Sequence, residues 1–137
     1  MATLVVPMAG RSSRYPDLRP KWMLSHPMSN TFMGIAAIQG LNLDFFDKIY
    51  WVTLKEYQEK YQFEQGYLEE LDQVGLKDKS EIVLLDKETS SQSETVYELI
   101  KKKNLEGFIF IKDSDGYYEC KLTDESNQVA YFDLNDM

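Results

Sequence analysis

The chain has little of what staples small folds together: one cysteine, Cys120, and one histidine, His26, in 137 residues. A lone thiol excludes an internal disulfide and suits a reducing compartment. One Cys with one His also argues against a structural zinc site. Long apolar runs are missing. No stretch approaches the roughly 18 apolar residues of a membrane span. Thr3–Met8 (TLVVPM) is too short for a secretion signal, and no basic segment precedes it. The expectation is a cytoplasmic protein without a membrane partner. Cations are in deficit as well, with 15 Lys and Arg against 23 Asp and Glu, a net charge of −8. That excludes the basic stripe of a general nucleic-acid binder. Repeats, low-complexity tracts and linker-like segments are absent.

What is present is a globular composition, 43% hydrophobic and 13% aromatic, at a length that suits one core. Two kinds of hydrophobic pattern alternate. Thr3–Met8, Lys48–Leu54 (KIYWVTL), Glu81–Leu85 (EIVLL) and Gly107–Ile111 (GFIFI) read as strands, the last as a fully buried one. Between them, Thr31–Leu41, Lys55–Val74 and Ser93–Leu105 show helical spacing. Gly66 is a possible interruption of the second helix and Gly75 its C-cap, while Lys101–Lys103 suit the dipole of the third. Tyr117–Leu122 and Val129–Leu134 read as a closing pair of strands around the turn TDESNQ. The expected fold is α/β: a three-layer α/β/α Rossmann-like core, mostly parallel, ending in an antiparallel hairpin. Ligands of such sheets bind beyond the carboxyl ends of the strands.

The scarce cations are unevenly placed. Arg11, Arg14, Arg19 and Lys21 crowd into the loop behind the first strand, with Asp17 as its one acid. Gly10 allows close backbone approach there, Ser12 and Ser13 add hydroxyl donors, and Arg14 and Lys21 can reach phosphate oxygens. The loop is neither GxxxxGK[ST] nor GxGxxG. A solvated basic loop explains the charge equally well.

Two further stretches fall at strand ends. In "ETSSQSETVYELI", Ser90, Ser91 and Ser93 sit at the mouth of the third helix, where an N-cap cluster is the plain structural reading. In "FIFIKDSDGYY", Asp113 and Asp115 follow the fourth strand; carboxylates there suit a hard cation such as Mg²⁺. A D-S-D after a strand is a weak signal by itself. His26 reads as a loop residue, Trp22 and Trp51 as core anchors, the tyrosines between Tyr57 and Tyr67 as a helix face, and Cys120 as chemically quiet.

Taken together, "MAGRSSRY…RPKWML", the serine segment and "KDSDG" resemble the nucleotidyltransferase family that activates sugars and phosphorylated alcohols. Gly10, Arg14, Pro20, Lys21 and Leu24 fill the places of its opening signature, with Ser12 where a second glycine is usual. The resemblance implies an enzyme that moves a nucleotidyl group from an NTP to a sugar 1-phosphate and releases pyrophosphate. In that reading Arg14 and Lys21 bind the triphosphate and support the transition state. Ala9, Gly10, Arg11, Ser12 and Ser13 contact the nucleotide, and Ser91 and Ser93 take the small-x-small positions against which the base lies. Asp115 binds Mg²⁺, with Asp113 in the place often held by Asn. The partners implied are an NTP and a phosphorylated small-molecule acceptor, in sugar-nucleotide biosynthesis; an oligomer stays open.

Family members are longer, and their second half supplies the acceptor pocket and a further metal aspartate. Residues 1–137 are accordingly expected to be one domain, the N-terminal nucleotide-binding part of a longer one. The alternatives are a phosphocholine-type cytidylyltransferase, a glycosyltransferase using a nucleotide sugar, and a non-catalytic nucleotide-binding module. The Pro-Lys loop discriminates against the glycosyltransferase, since a triphosphate donor needs it and a sugar nucleotide does not.

Overall fold

The computed structural model describes residues 2–9, 23, 32–87, 89, 92–105 and 107–112. Strand β1 (Ala2–Pro7) is followed by the short helix α1 (Met33–Ala37) and then β2 (Lys48–Leu54). Helices α2 (Lys55–Tyr61) and α3 (Glu64–Gln73) lead to β3 (Ser80–Leu85), and α4 (Gln92–Lys103) to β4 (Phe108–Ile111). The strands form one sheet in the order β3-β2-β1-β4. Every pairing in it is parallel.

This order follows from the crossover rule. Right-handed connections carry the chain from β1 to β2 to β3 with helices on one face, and the return from β3 to β4 puts α4 on the other. Side-chain alternation agrees. Trp51 points to the face where Tyr67 of α3 meets it edge-on, ring centroids 5.2 Å apart. Glu81, paired in register with Tyr50, points to the opposite face and is bridged by Lys103 of α4. The arrangement is a three-layer Rossmann-like core.

The centre of the sheet is closed on both sides. Leu4, Val6, Ile49 and Trp51 on one face, and Val5 and Val52 on the other, are all buried completely. At about 1.5–3 kcal/mol for each large side chain, this layer is the main source of stability. On the α3 face an aromatic group extends it: Phe32 stacks on Tyr67 at 5.0 Å, and Phe46 packs against Phe110 at 6.0 Å.

The structure corrects three expectations. The helix expected over Lys55–Val74 is two helices, broken not at Gly66 but at Gln62, which takes φ 49° and closes α2 through its N–H to the Gln58 carbonyl. The helix expected over Thr31–Leu41 is α-helical only over Met33–Ala37. And β4 is not fully buried: it lies at the sheet margin among the described residues, and Ile111 is 45% exposed. The expected antiparallel hairpin, over 117–122 and 129–134, lies outside the described residues.

Candidate functional site at the β1–β4 switch point

The strand order reverses direction between β1 and β4. In open α/β sheets such a switch point leaves a crevice beyond the carboxyl ends of the two strands, because the connections depart to opposite faces. Residues 10–22, with the cationic loop, continue in sequence from the end of β1. Asp113 and Asp115 continue from the end of β4. Two of the three sequence motifs thus follow directly in sequence on the two strands at the switch point.

The end of β1 is fastened with unusual care. Beyond Pro7, the Met8 N–H donates to the Val52 carbonyl at 2.6 Å, and the Met8 carbonyl accepts the Thr53 hydroxyl at 3.0 Å. The Tyr67 hydroxyl reaches the Met8 sulfur at 3.8 Å. Burial pushes the Tyr67 phenol well above its ordinary range, and the Glu70 carboxylate adds to the effect, so the hydroxyl stays protonated. Ala9 follows, almost wholly buried. The cationic loop therefore starts from a fixed point.

The end of β4 is fastened to the same strand. Lys112 donates its N–H to the Val5 carbonyl at 3.0 Å, one step past the last register pair, Val5 with Ile111. Its side chain is 1% exposed, the one charged side chain buried among the described residues.

At the third motif, Thr89 and Thr95 are both buried and share a hydroxyl–hydroxyl hydrogen bond of 2.6 Å. This bond ties the segment entering α4 to the helix's first turns. Ser93 is exposed in that first turn. A groove of about 660 Å³ is lined by Leu85, Asp86, Lys87 and Thr89 and, from α4, by Glu94, Glu98, Lys101 and Lys102; Ser93 is not among its lining residues.

Of the residues singled out in the sequence, the structure thus places Ala9, buried, and Ser93, exposed, and no hydrogen bond joins them. Gly10, Arg11, Ser12, Ser13, Arg14, Lys21, Ser91, Asp113 and Asp115 lie outside the described residues, as do Trp22, His26 and Cys120. Trp51 is the core anchor expected, with no exposed surface. Sequence reasoning missed Thr53, Lys112 and the Thr89–Thr95 pair. A lysine directly behind "FIFI" was the available signal, but a lysine at a strand end ordinarily reads as solvated.

No protein-family model and no curated protein sequence matches the chain. Among solved structures, it is similar to the nucleoside-diphosphate-sugar pyrophosphorylase from Vibrio cholerae RC9, with a TM-score of 0.59 and 25% identity. The match covers 82% of this chain and 47% of that one, so the chain spans about half the length of that solved protein. The fold is nucleotidyltransferase-like. Among the described residues, no helix is long and apolar enough to cross a membrane.

Proposed function

We propose that this chain is the nucleotide-binding part of a nucleotidyltransferase that moves a nucleotidyl group from an NTP to a sugar 1-phosphate, releasing pyrophosphate. One observation carries the reading. The cationic loop and the D-S-D stretch continue from β1 and β4, the two strands at the sheet's switch point. The likeness to a nucleoside-diphosphate-sugar pyrophosphorylase supports it at the level of reaction class.

The acceptor's phosphate oxygen attacks the α-phosphorus in line, and pyrophosphate leaves as the bond to the β-phosphate oxygen breaks. The chemistry needs positioning and charge stabilisation rather than a protein nucleophile. Arg14 and Lys21 hold the triphosphate and offset the negative charge that builds on it. Ala9, Gly10, Arg11, Ser12 and Ser13 contact the nucleotide in this reading, and Ser91 and Ser93 edge the base. The carboxylates of Asp115 and, secondarily, Asp113 are hard oxygen donors of the kind that Mg²⁺ takes. Bound there, the metal would supply charge neutralisation to the phosphates.

A second reading is nucleotide binding without turnover by these residues alone, favoured by the 47% span of the solved neighbour. Positioning can account for roughly 7–11 kcal/mol of a barrier, so a partly built acceptor site would bind nucleotide yet release little pyrophosphate. Calorimetric titration with each common NTP and Mg²⁺, for the unmodified chain and Lys21→Ala, tests the shared premise. Binding by the first, weakened at least ten-fold in the second, is expected; equal affinity would overturn it. Acceptor-dependent pyrophosphate release with a panel of sugar phosphates then separates the two readings.

A further inference from the structure

We propose that Tyr67 and Glu70 of α3 are positioning residues for the cationic loop: together they hold the chain where it enters the loop and where it leaves it. The inference rests on the nucleotide-binding reading above and assigns neither residue a contact with the ligand.

Tyr67 and Glu70 stand about one turn apart on α3, so they share a face of the helix. At the loop's entrance, the Tyr67 hydroxyl reaches the Met8 sulfur at 3.8 Å. At its exit, the Tyr67 ring stacks on that of Phe32, centroids 5.0 Å apart. The Glu70 carboxylate accepts the Phe32 N–H there at 2.8 Å. Phe32 is the N-cap of α1, so the exit is also the start of the next helix. Two points far apart in sequence are thus gathered on one helix face. Between them, Met23 is buried in the hydrophobic core. Arg11, Arg14, Arg19 and Lys21 all fall between Ala9 and Met23, two buried residues.

Core packing alone does not ask for these residue types. A phenylalanine would fill the place of Tyr67 beside Trp51 and Phe63 without burying a hydroxyl. What the hydroxyl adds is a polar contact at the loop's entrance. Glu70 adds a charge-assisted hydrogen bond at the exit, stronger than one to a neutral acceptor. The consequence is for binding. A loop that its ligand must order loses affinity to that ordering, and fixed ends leave less freedom to be lost. Arg14 and Lys21 then hold phosphate more tightly than the same cations on a free-ended loop.

The test sets Glu70→Met, which removes the acceptor, beside Glu70→Gln, which keeps a carbonyl oxygen for the Phe32 N–H. Tyr67→Phe keeps the ring and removes the hydroxyl. Val83→Ala, buried in β3 and separated from β1 by β2, is the control for lost stability alone. Calorimetry uses magnesium pyrophosphate and the NTP that the unmodified chain binds most tightly, where circular dichroism shows each variant folded. Glu70→Met is expected to weaken both about three- to ten-fold, and Tyr67→Phe about three-fold. Glu70→Gln and Val83→Ala should stay within about two-fold of the unmodified chain. A double-mutant cycle supplies a readout that simple destabilisation does not move. The factor lost to Glu70→Met should shrink in a Lys21→Ala background, because the cation it positions is gone. Should Glu70→Met not fold, Tyr67→Phe takes its place in the cycle. Unchanged affinity in Glu70→Met and Tyr67→Phe, with Lys21→Ala still weakening binding, overturns the proposal and leaves the nucleotide-binding reading standing. Equal factors in both backgrounds, or a loss of the same size in Val83→Ala, also overturn it. An unmodified chain that binds neither NTP nor pyrophosphate removes both.

Discussion

The Thr53 hydroxyl donates to the Met8 carbonyl across 3.0 Å, joining the ends of β2 and β1 out of contact with water. Met8 also gives its N–H to Val52, so both sides of one residue are held by adjacent residues of the neighbouring strand. This double tie lies just before the cationic loop. Thr53→Val keeps the shape and removes the donor, leaving a buried carbonyl without that bond. A cost of about 1–3 kcal/mol is expected, visible as a lower midpoint in urea with an unchanged slope. If the tie also orients the loop, NTP affinity falls with it, and Thr53→Ser restores both. A Thr53→Val chain as stable as the unmodified one would show that the bond carries no net weight.

Gly75 ends α3 with φ +78°, and a Cβ built there meets nothing within 4 Å. Any cost of Gly75→Ala must therefore come from the backbone and not from a clash. The left-handed conformation costs an L-residue roughly 1–2 kcal/mol, so denaturant melts should show a loss of about that size. A neutral substitution would mean that the turn relaxes to negative φ.

Much of the framework was legible because burial dictates it. The strand Lys48–Leu54 coincides with the sequence expectation to the residue, since an apolar β-rich run can hardly be anything else at a sheet's centre. The break between α2 and α3 was not legible. Gly66 looked like the weak point, but it sits within α3, where the Phe32 ring would touch an added Cβ at 4.0 Å. The real break is made by Gln62 in left-handed backbone and by the Gln58 side-chain oxygen, which accepts the Glu64 N–H at 2.9 Å. Neither residue type marks a helix end in sequence. The burial of β4 was overestimated for a related reason: "FIFI" is apolar throughout, and nothing local says that it will lie at a margin. Of the site, the motifs were visible as residue types, whereas Lys112 and the Thr89–Thr95 pair needed the fold to bring out their burial.

The Glu81 carboxyl is held below its usual range, first by the hydrogen bond from Lys103, against an opposing desolvation effect, and then by the charges of Lys103 and Lys48. A depressed carboxyl contributes stability that is present above its unfolded pKa and is lost as pH falls through the folded value. Lys103, raised by the same bond, contributes below its own unfolded pKa and loses that contribution as pH rises through the folded one. Both side chains are about a third exposed, so the pair is worth no more than about 1 kcal/mol at neutral pH. Glu81→Gln should therefore flatten part of the acid limb of the stability curve below about pH 5. The difference from the unmodified chain should shrink in about 1 M salt, where the screening length is near 3 Å. An acid limb identical in both proteins would rule the pair out as a contributor.

If Asp115 holds Mg²⁺ as proposed, with Asp113 secondary, nucleotide affinity should depend on the ion whether or not the chain turns over. A divalent ion held by the carboxylate would supply charge neutralisation to the phosphates, so removing either the ion or the carboxylate should weaken NTP binding by a similar factor. Asn keeps the shape of Asp but lacks the charge, and it is a much poorer donor to a hard cation. Titrations of the unmodified chain with NTP, in Mg²⁺ and then in EDTA, should differ by at least about ten-fold, equivalent to about 1.4 kcal/mol. In Asp115→Asn the two titrations should agree within about two-fold, both resembling the unmodified chain in EDTA. Asp113→Asn should retain a clear Mg²⁺ dependence. The reverse pattern would move the ligand to Asp113, and an unmodified chain indifferent to Mg²⁺ would leave neither aspartate with a metal to hold.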